Sequence, residues 1–220
     1  MKLIENIVNI NDTTIDYPGK LAKILYVKHC NLKCPYCYNL KVLQSIPNID
    51  EVEIMNELEA EAEFYDGMVI CGGEPTLYED LEEFIMYLHD LNLSVKVDTN
   101  GYKFERTLYA DHVALDYKYP IKDYIEKLGM DPTDTIEYAL PRLGDEDIIR
   151  TTVTVEHENM EAIMLKELTD LKVKAKWIVN KYFDREQVLE RKKMTPEGWN
   201  KKLDDIYGEF QVVADKFNNR

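Results

Sequence analysis

The sequence predicts an α/β fold, a partial (β/α)6 barrel of mainly parallel strands. Three observations carry that prediction. Six short β-rich runs occur along 220 residues, each bounded by polar or turn-forming residues. Stretches with helical spacing separate several of them, and repeated βα units favour a parallel sheet with right-handed crossovers. The polar motifs of the chain fall at the C-terminal ends of these runs, where parallel α/β sheets gather their chemistry. Six units are too few for the usual eight-stranded closure, so the barrel is expected to be partial or open.

The elements follow in chain order. Residues 1–20 read as a lead-in. The runs are LAKILYV (21–27), GMVIC (67–71), LSVKVDT (93–99), HVALDYK (112–118), IIRTTVTV (148–155) and KAKWIVN (174–180). Residues 51–65 place Val52, Met55, Leu58 and Ala62 on one helical face. Residues 80–91 do the same with Leu81, Phe84, Ile85 and Leu88, and residues 159–171 with Met160, Met164, Leu168 and Leu171. Thr195-Pro196-Glu197 starts a last helix, with the cap residue before a proline in the first turn. No repeat, low-complexity tract or composition break divides the chain. It is therefore read as a single domain, 1–220, with residues 181–220 as a helical C-terminal extension.

Composition narrows the function classes. Hydrophobic residues make up 45%, enough for a core. No apolar run approaches the ~18 residues of a membrane span. The N-terminus carries Glu5 and Asp12 and has no signal-peptide pattern, so a cytoplasmic location is expected. The net charge of −15 argues against nucleic acid and anionic membranes as partners. That charge is uneven. Tyr17 to Ile49 contains Lys20, Lys23, Lys28, Lys33 and Lys41 and no acid, a basic island of +5 in a remainder of −20. Such an island could be chance, or it could balance a negative cluster or receive an acidic flavodoxin- or ferredoxin-type electron donor.

Three of the four cysteines lie in CNLKCPYC, residues 30–37. Bunched in this way they suit metal or redox chemistry rather than a disulfide framework. A structural zinc site and a ferredoxin-type cluster each take four ligands. Cys30, Cys34 and Cys37 on a [4Fe–4S] cubane would leave one iron open to a small molecule. Cys71 as a fourth ligand, closing a structural metal site, is the competing reading. His29 adjoins Cys30 and would strain the turn as a ligand. Cys71 otherwise suits a small buried apolar residue.

CNLKCPYC resembles the cysteine motif of the radical S-adenosylmethionine (SAM) superfamily, C-x3-C-x-aromatic-C, with Tyr36 in the aromatic slot. The resemblance implies metal ligands Cys30, Cys34 and Cys37, and SAM chelating the remaining iron through its amino and carboxylate groups. It places Tyr36 near the adenine. Gly72-Gly73-Glu74-Pro75, after the second run, is similar to the family signature whose backbone binds the SAM amino group. Asn39 suits the ribose and Lys118 the SAM carboxylate. Asp98, Thr99 and Asp116 resemble the oxygen-rich pocket for a monovalent cation in related activases.

Asp16-Tyr17-Pro18-Gly19, Asp98-Thr99-Asn100-Gly101, Asp116-x-Lys118 and Arg150 extend the likeness to the enzymes that activate glycyl radical enzymes. Within that group residues 13–39 are most similar to the activating proteins of anaerobic ribonucleoside-triphosphate reductase. The implied activity is reductive cleavage of SAM to methionine and a 5′-deoxyadenosyl radical, which takes hydrogen from a glycine of the partner. Asp16 and Arg150 would line the channel for the partner's glycine loop. Tyr38 stands where the family often has histidine, and Cys71 where a small hydroxyl residue is usual. Two other functions stay open: a radical SAM enzyme acting on a nucleoside or cofactor precursor, and a non-catalytic module stabilised by a metal.

Overall fold

The computed structural model describes residues 2–46, 50–182 and 195–220. The described residues form seven strands in one mostly parallel sheet, in the order β1 to β7. These are β1 (Ile7–Thr13), β2 (Ala22–Val27), β3 (Gly67–Gly72), β4 (Ser94–Thr99), β5 (His112–Asp116), β6 (Ile148–Val153) and β7 (Lys176–Lys181). The six expected strands are β2 to β7, and the α/β class is as expected. The addition is β1, inside the stretch read as a lead-in. It runs antiparallel to β2, with a register shift between Ile7 and Asn9. Its tip, Asn11 to Thr13, is polar, and it has no sustained apolar alternation. An edge strand with one wet face leaves little periodic signal.

By their internal contacts the residues fall into two compact units. The first comprises Met1–Asn31 and Tyr38–Ala114, the second Leu32–Cys37 and Leu115–Arg220. In the first unit β2, β3 and β4 are paired in parallel. Their alternation separates two faces. Leu25, Val27, Met68, Ile70, Val95 and Val97 pack with residues of α1 (Glu51–Glu61) and α2 (Leu81–Asp90). Ala22, Ile24, Val69 and Cys71 lie on the other face with Tyr17. α2 buries Leu81, Phe84, Ile85 and Leu88, the expected stripe. α1 buries Ile54 and Leu58, with Met55 and Ala62 packed against them, whereas Val52 is exposed. The seam is thus rotated towards Ile54. Asp50 and Glu53 close a capping box that sets where α1 begins.

In the second unit β6 and β7 pair in parallel. α3 (Glu161–Asp170) buries Met164 and Leu168, the centre of its expected face, with Met160 and Leu171 half-buried. α4 (Pro196–Asn218) starts at Thr195, whose side chain accepts from Gly198 N. It buries Trp199, Leu203, Ile206, Phe210, Ala214 and Phe217, a spacing of three and four that places them in one stripe. The expected extension is therefore part of this unit's core. Residues 183–194 of the predicted extension lie outside the described residues. Asn218, at the end of α4, accepts from Trp177 N and donates to Trp177 O, both at 2.8 Å. Its amide satisfies backbone groups of β7 that would otherwise need another strand.

Candidate functional site

The first unit carries Cys30 just beyond the C-terminal end of β2. Two glycines shape that junction. Gly73 N donates to Val27 O at 2.7 Å, and Glu74 N to His29 O at 2.7 Å. A Cβ on Gly72 would sit 2.6 Å from Val27 backbone atoms, and Gly72 has φ +105°. A Cβ on Gly73 would sit 2.0 Å from His29 O. Only glycine lets these two backbones meet. Asn39 donates from Nδ2 to Gly72 O at 2.8 Å, which ties the residues after the cysteine loop to the same corner.

Glu74 is buried, and its carboxylate collects the ends of β3 and β4. Oε1 accepts from Thr76 N at 3.0 Å, Thr76 Oγ1 at 2.7 Å and Thr99 Oγ1 at 2.6 Å, and Oε2 accepts from Asn100 N at 2.7 Å. Burial pushes its pKa up, and these hydrogen bonds work against that rise. Asn100, 4% exposed, donates from Nδ2 to Asn31 Oδ1 at 2.9 Å and lies 3.9 Å from Cys30 Sγ. Asp98 is paired with the buried Lys96 at 2.5 Å. Asp16 is exposed and accepts from Thr13 Oγ1 at 2.5 Å. Cys71, 6% exposed, packs with the apolar group around Tyr17.

The second unit holds Cys34, Tyr36 and Cys37. Cys37 N donates to Cys34 O, so the segment turns back on itself. Burial raises the Cys34 thiol pKa, while the positive charge of Lys118 works to lower it. The Tyr36 ring is buried among Tyr119, His157 and Tyr182, with centroids 6.2, 6.1 and 6.1 Å away. His157 is fully buried. Nδ1 lies 3.1 Å from Thr154 N, which donates to it, so Nε2 carries the proton and donates to Lys118 O at 2.7 Å. Burial lowers its pKa to about 4, despite those hydrogen bonds.

Asp116 joins two cations. Its Oδ2 is 2.9 Å from Lys118 Nζ, and its Oδ1 is 3.1 Å from Arg150 Nε and 3.0 Å from Arg150 Nη2. Burial alone would raise the Asp116 pKa; Lys118 and Arg150 outweigh it and hold the group at about 2. Burial likewise opposes the charge on Lys118, and Asp116 more than restores it.

Sequence reasoning named the cysteines, Tyr36, Asn39, Glu74, Asp98, Asp116, Lys118 and Arg150, but not their local partners. Arg150 joins Asp116 and Lys118, whereas Asp16 binds Thr13 next to its own turn. Glu74 is a hub that links loops through its side chain. Asn100, Asn31 and His157 were not singled out as site residues. Asn100 had a visible signal in the Asp-Thr-Asn-Gly run, while His157 had none. The basic island also changes meaning. Lys23 is 6% exposed and contacts Glu61 at 2.7 Å, Glu57 at 3.1 Å and Asp12 at 3.5 Å. It is neutralised by acids near the start of β2, so it is not part of a surface for a donor. Lys33 and Lys41 are exposed.

Among the described residues, no three His, Cys, Asp or Glu side chains are gathered as a metal centre, and no helix is long and apolar enough to cross a membrane. A solved structure of Streptococcus suis SuiB bound to precursor peptide SuiA has the same fold, with a TM-score of 0.59 and 19% identity over 87% of this chain and 46% of that one. A Methanocaldococcus jannaschii protein provisionally named a glycyl-radical enzyme activating enzyme is 38% identical over 132 residues, 56% of this chain and 53% of that protein. The GTP 3′,8-cyclase of Helicobacter pylori is 25% identical over 190 residues, 84% of this chain and 53% of the cyclase. The chain thus spans about half the length of these two curated relatives. Residues 24–161, which run from within β2 to the first residue of α3 and include the cysteine motif, match the Radical SAM superfamily, and the chain belongs to that family.

Proposed function

We propose that this radical SAM enzyme activates a glycyl radical enzyme, with anaerobic ribonucleoside-triphosphate reductase as the partner. The observation that carries the reading is the 38% identity to the provisionally named M. jannaschii activase. The likeness of residues 13–39 to reductase-activating proteins supports the choice of partner.

Membership of the family implies a [4Fe–4S] cluster and SAM. The donor set fits: three partly exposed thiols lie in eight residues of irregular backbone, in a stretch without a single acid. Thiolates suit iron–sulfur clusters, and metal binding commonly orders its own ligands. When bound, the two groups supply one-electron cleavage of the SAM sulfonium and, through it, hydrogen abstraction. The chain's own residues bind and orient. Cys30, Cys34 and Cys37 would hold the iron, and Gly72, Gly73 and Glu74 are proposed for the SAM amino group on the resemblance alone, since Val27 and His29 backbone fills the space over the two glycines. Asn39 and Tyr36 are proposed for the nucleoside and Lys118 for the SAM carboxylate. Asp116 keeps Lys118 charged for that task.

Asp16 and Arg150 are proposed for the channel of the glycine loop on the resemblance alone, as is a monovalent cation near Asp98, Thr99 and Asp116. Lys96 on Asp98 is a competitor for such a cation. Loss of one hydrogen atom from the partner's glycine Cα leaves the glycyl radical there, and a flavodoxin- or ferredoxin-type donor supplies the electron. A cytoplasmic location and a single radical SAM domain embracing both units belong to the same proposal.

The test is electron paramagnetic resonance after anaerobic mixing of the reconstituted protein, SAM, a reductant and the reductase. A glycyl radical signal that requires all components is expected. SAM cleavage without any such signal would sink the activase reading. One observation favours a second reading, a small-molecule substrate: the match to GTP 3′,8-cyclase covers 84% of the chain. In that case a nucleotide, and not the reductase, would stimulate SAM cleavage.

A further inference from the structure

We propose that Asn100 is a positioning residue for the iron–sulfur cluster: its side-chain amide donates to the Cys30 sulfur and raises the cluster's reduction potential. The inference rests on the reading of Cys30 as a cluster ligand. It goes beyond that reading by assigning a residue that does not touch the iron.

Asn100 follows β4 directly and is 4% exposed. Its backbone N–H donates to Glu74 Oε2 at 2.7 Å, which pins the Cα. Its Oδ1 accepts from Tyr102 N at 3.1 Å. That contact assigns the two ends of the amide, because only an oxygen can accept from a backbone N–H. The Nδ2 end therefore faces the loop after β2. It donates to Asn31 Oδ1 at 2.9 Å and stands 3.9 Å from Cys30 Sγ. An amide nitrogen carries two hydrogens, so both contacts can be made at once. The whole arrangement lies within the first unit.

The support behind Asn100 is unusually complete. Glu74, which holds its backbone, is itself fixed by Thr76 and Thr99. The side-chain oxygen serves the local turn through Tyr102 N, whereas the side-chain nitrogen reaches residues 69 and 70 positions away in sequence, which a turn alone does not need. A donor aimed at a thiolate sulfur draws charge from the ligand. It thereby stabilises the reduced cluster, which carries one more electron. Hydrogen bonds to ligand sulfurs are an established control of cluster potential.

The test compares anaerobically reconstituted wild type with Asn100→Ser and Asn100→Asp. Iron content is measured first, and then the midpoint potential by a redox titration followed by electron paramagnetic resonance, without SAM. Asn100→Ser removes the amide without adding charge. Asn100→Asp keeps the shape and the acceptor for Tyr102 N. Both variants are expected to hold full iron with a more negative midpoint. At the wild-type midpoint the reduced-to-oxidised ratio of Asn100→Ser should fall about tenfold, equivalent to about 59 mV for a one-electron couple. Asn100→Asp should fall further, because a carboxylate adds negative charge beside the sulfur. An unchanged midpoint in a fully loaded Asn100→Ser would overturn the proposal. Loss of the cluster from both variants would overturn it too, and would assign Asn100 to folding. A wild-type protein that binds no cluster, or a Cys30→Ala variant with an unaltered cluster, would instead overturn the ligand reading beneath it.

Discussion

At the scale of single residues, burial decides more than residue type. His157 has an ordinary imidazole, yet its complete burial keeps it neutral, against the pull of its hydrogen bonds with Thr154 and Lys118. The sign of the pH effect follows. The unfolded chain takes up a proton near the ordinary imidazole value of 6.5, whereas the folded chain resists until about 4. Between these values the unfolded state binds more protons, so stability falls as pH drops through that window. The expected loss is about 3 kcal/mol across it, at 1.36 kcal/mol per unit. Denaturant unfolding at a series of pH values checks this, and His157→Asn should flatten the slope. The sequence named Tyr36, Lys118 and Asp116 because motifs carry them. It was silent on His157, because the rings that bury it, Tyr36, Tyr119 and Phe210, come from segments distant in sequence.

At the scale of elements, the strand-end junctions are the vulnerable points. Gly73→Ala puts a methyl carbon where His29 O now lies. Backbone must move, and the segment leading to Cys30 moves with it. The variant should be destabilised by roughly 2–3 kcal/mol, within the range for overpacking. It should also take up less iron on reconstitution, as a colorimetric iron assay would read. Asn218→Ala tests the other end of the chain. It removes both hydrogen bonds to Trp177 backbone groups, and a cost of about 1–3 kcal/mol is expected. A loss of amide protection around Trp177 in hydrogen exchange would locate the effect on β7. Strands β2 to β7 were legible because each is a short, turn-bounded, β-rich run. β1 was not, because its polar tip hides the period. The α1 face was misread at one residue, Val52 in place of Ile54, since both serve equally well as the apolar residue of a first turn.

At the scale of the whole molecule, charge is the property that chooses partners. Lys23 is enclosed by Asp12, Glu57 and Glu61, so the lysines available to a donor are fewer than the five counted in sequence. Lys33→Glu combined with Lys41→Glu should slow cluster reduction by an acidic donor several-fold at low salt, with the difference fading as ionic strength rises. Stopped-flow reduction at two salt concentrations measures it. Lys23→Met serves as the contrast, and should change stability while leaving the reduction rate alone. The sequence by itself determined the α/β class, the places of six strands and the family, because short-range periodicity and a three-cysteine motif are local properties of the chain. Only the tertiary structure decided which groups neutralise one another. Glu74 with Asn100, Asp116 with Arg150 and Lys23 with its three acids are separated by 11 to 38 positions. Their electrostatics depend on burial and distance, which no local pattern records.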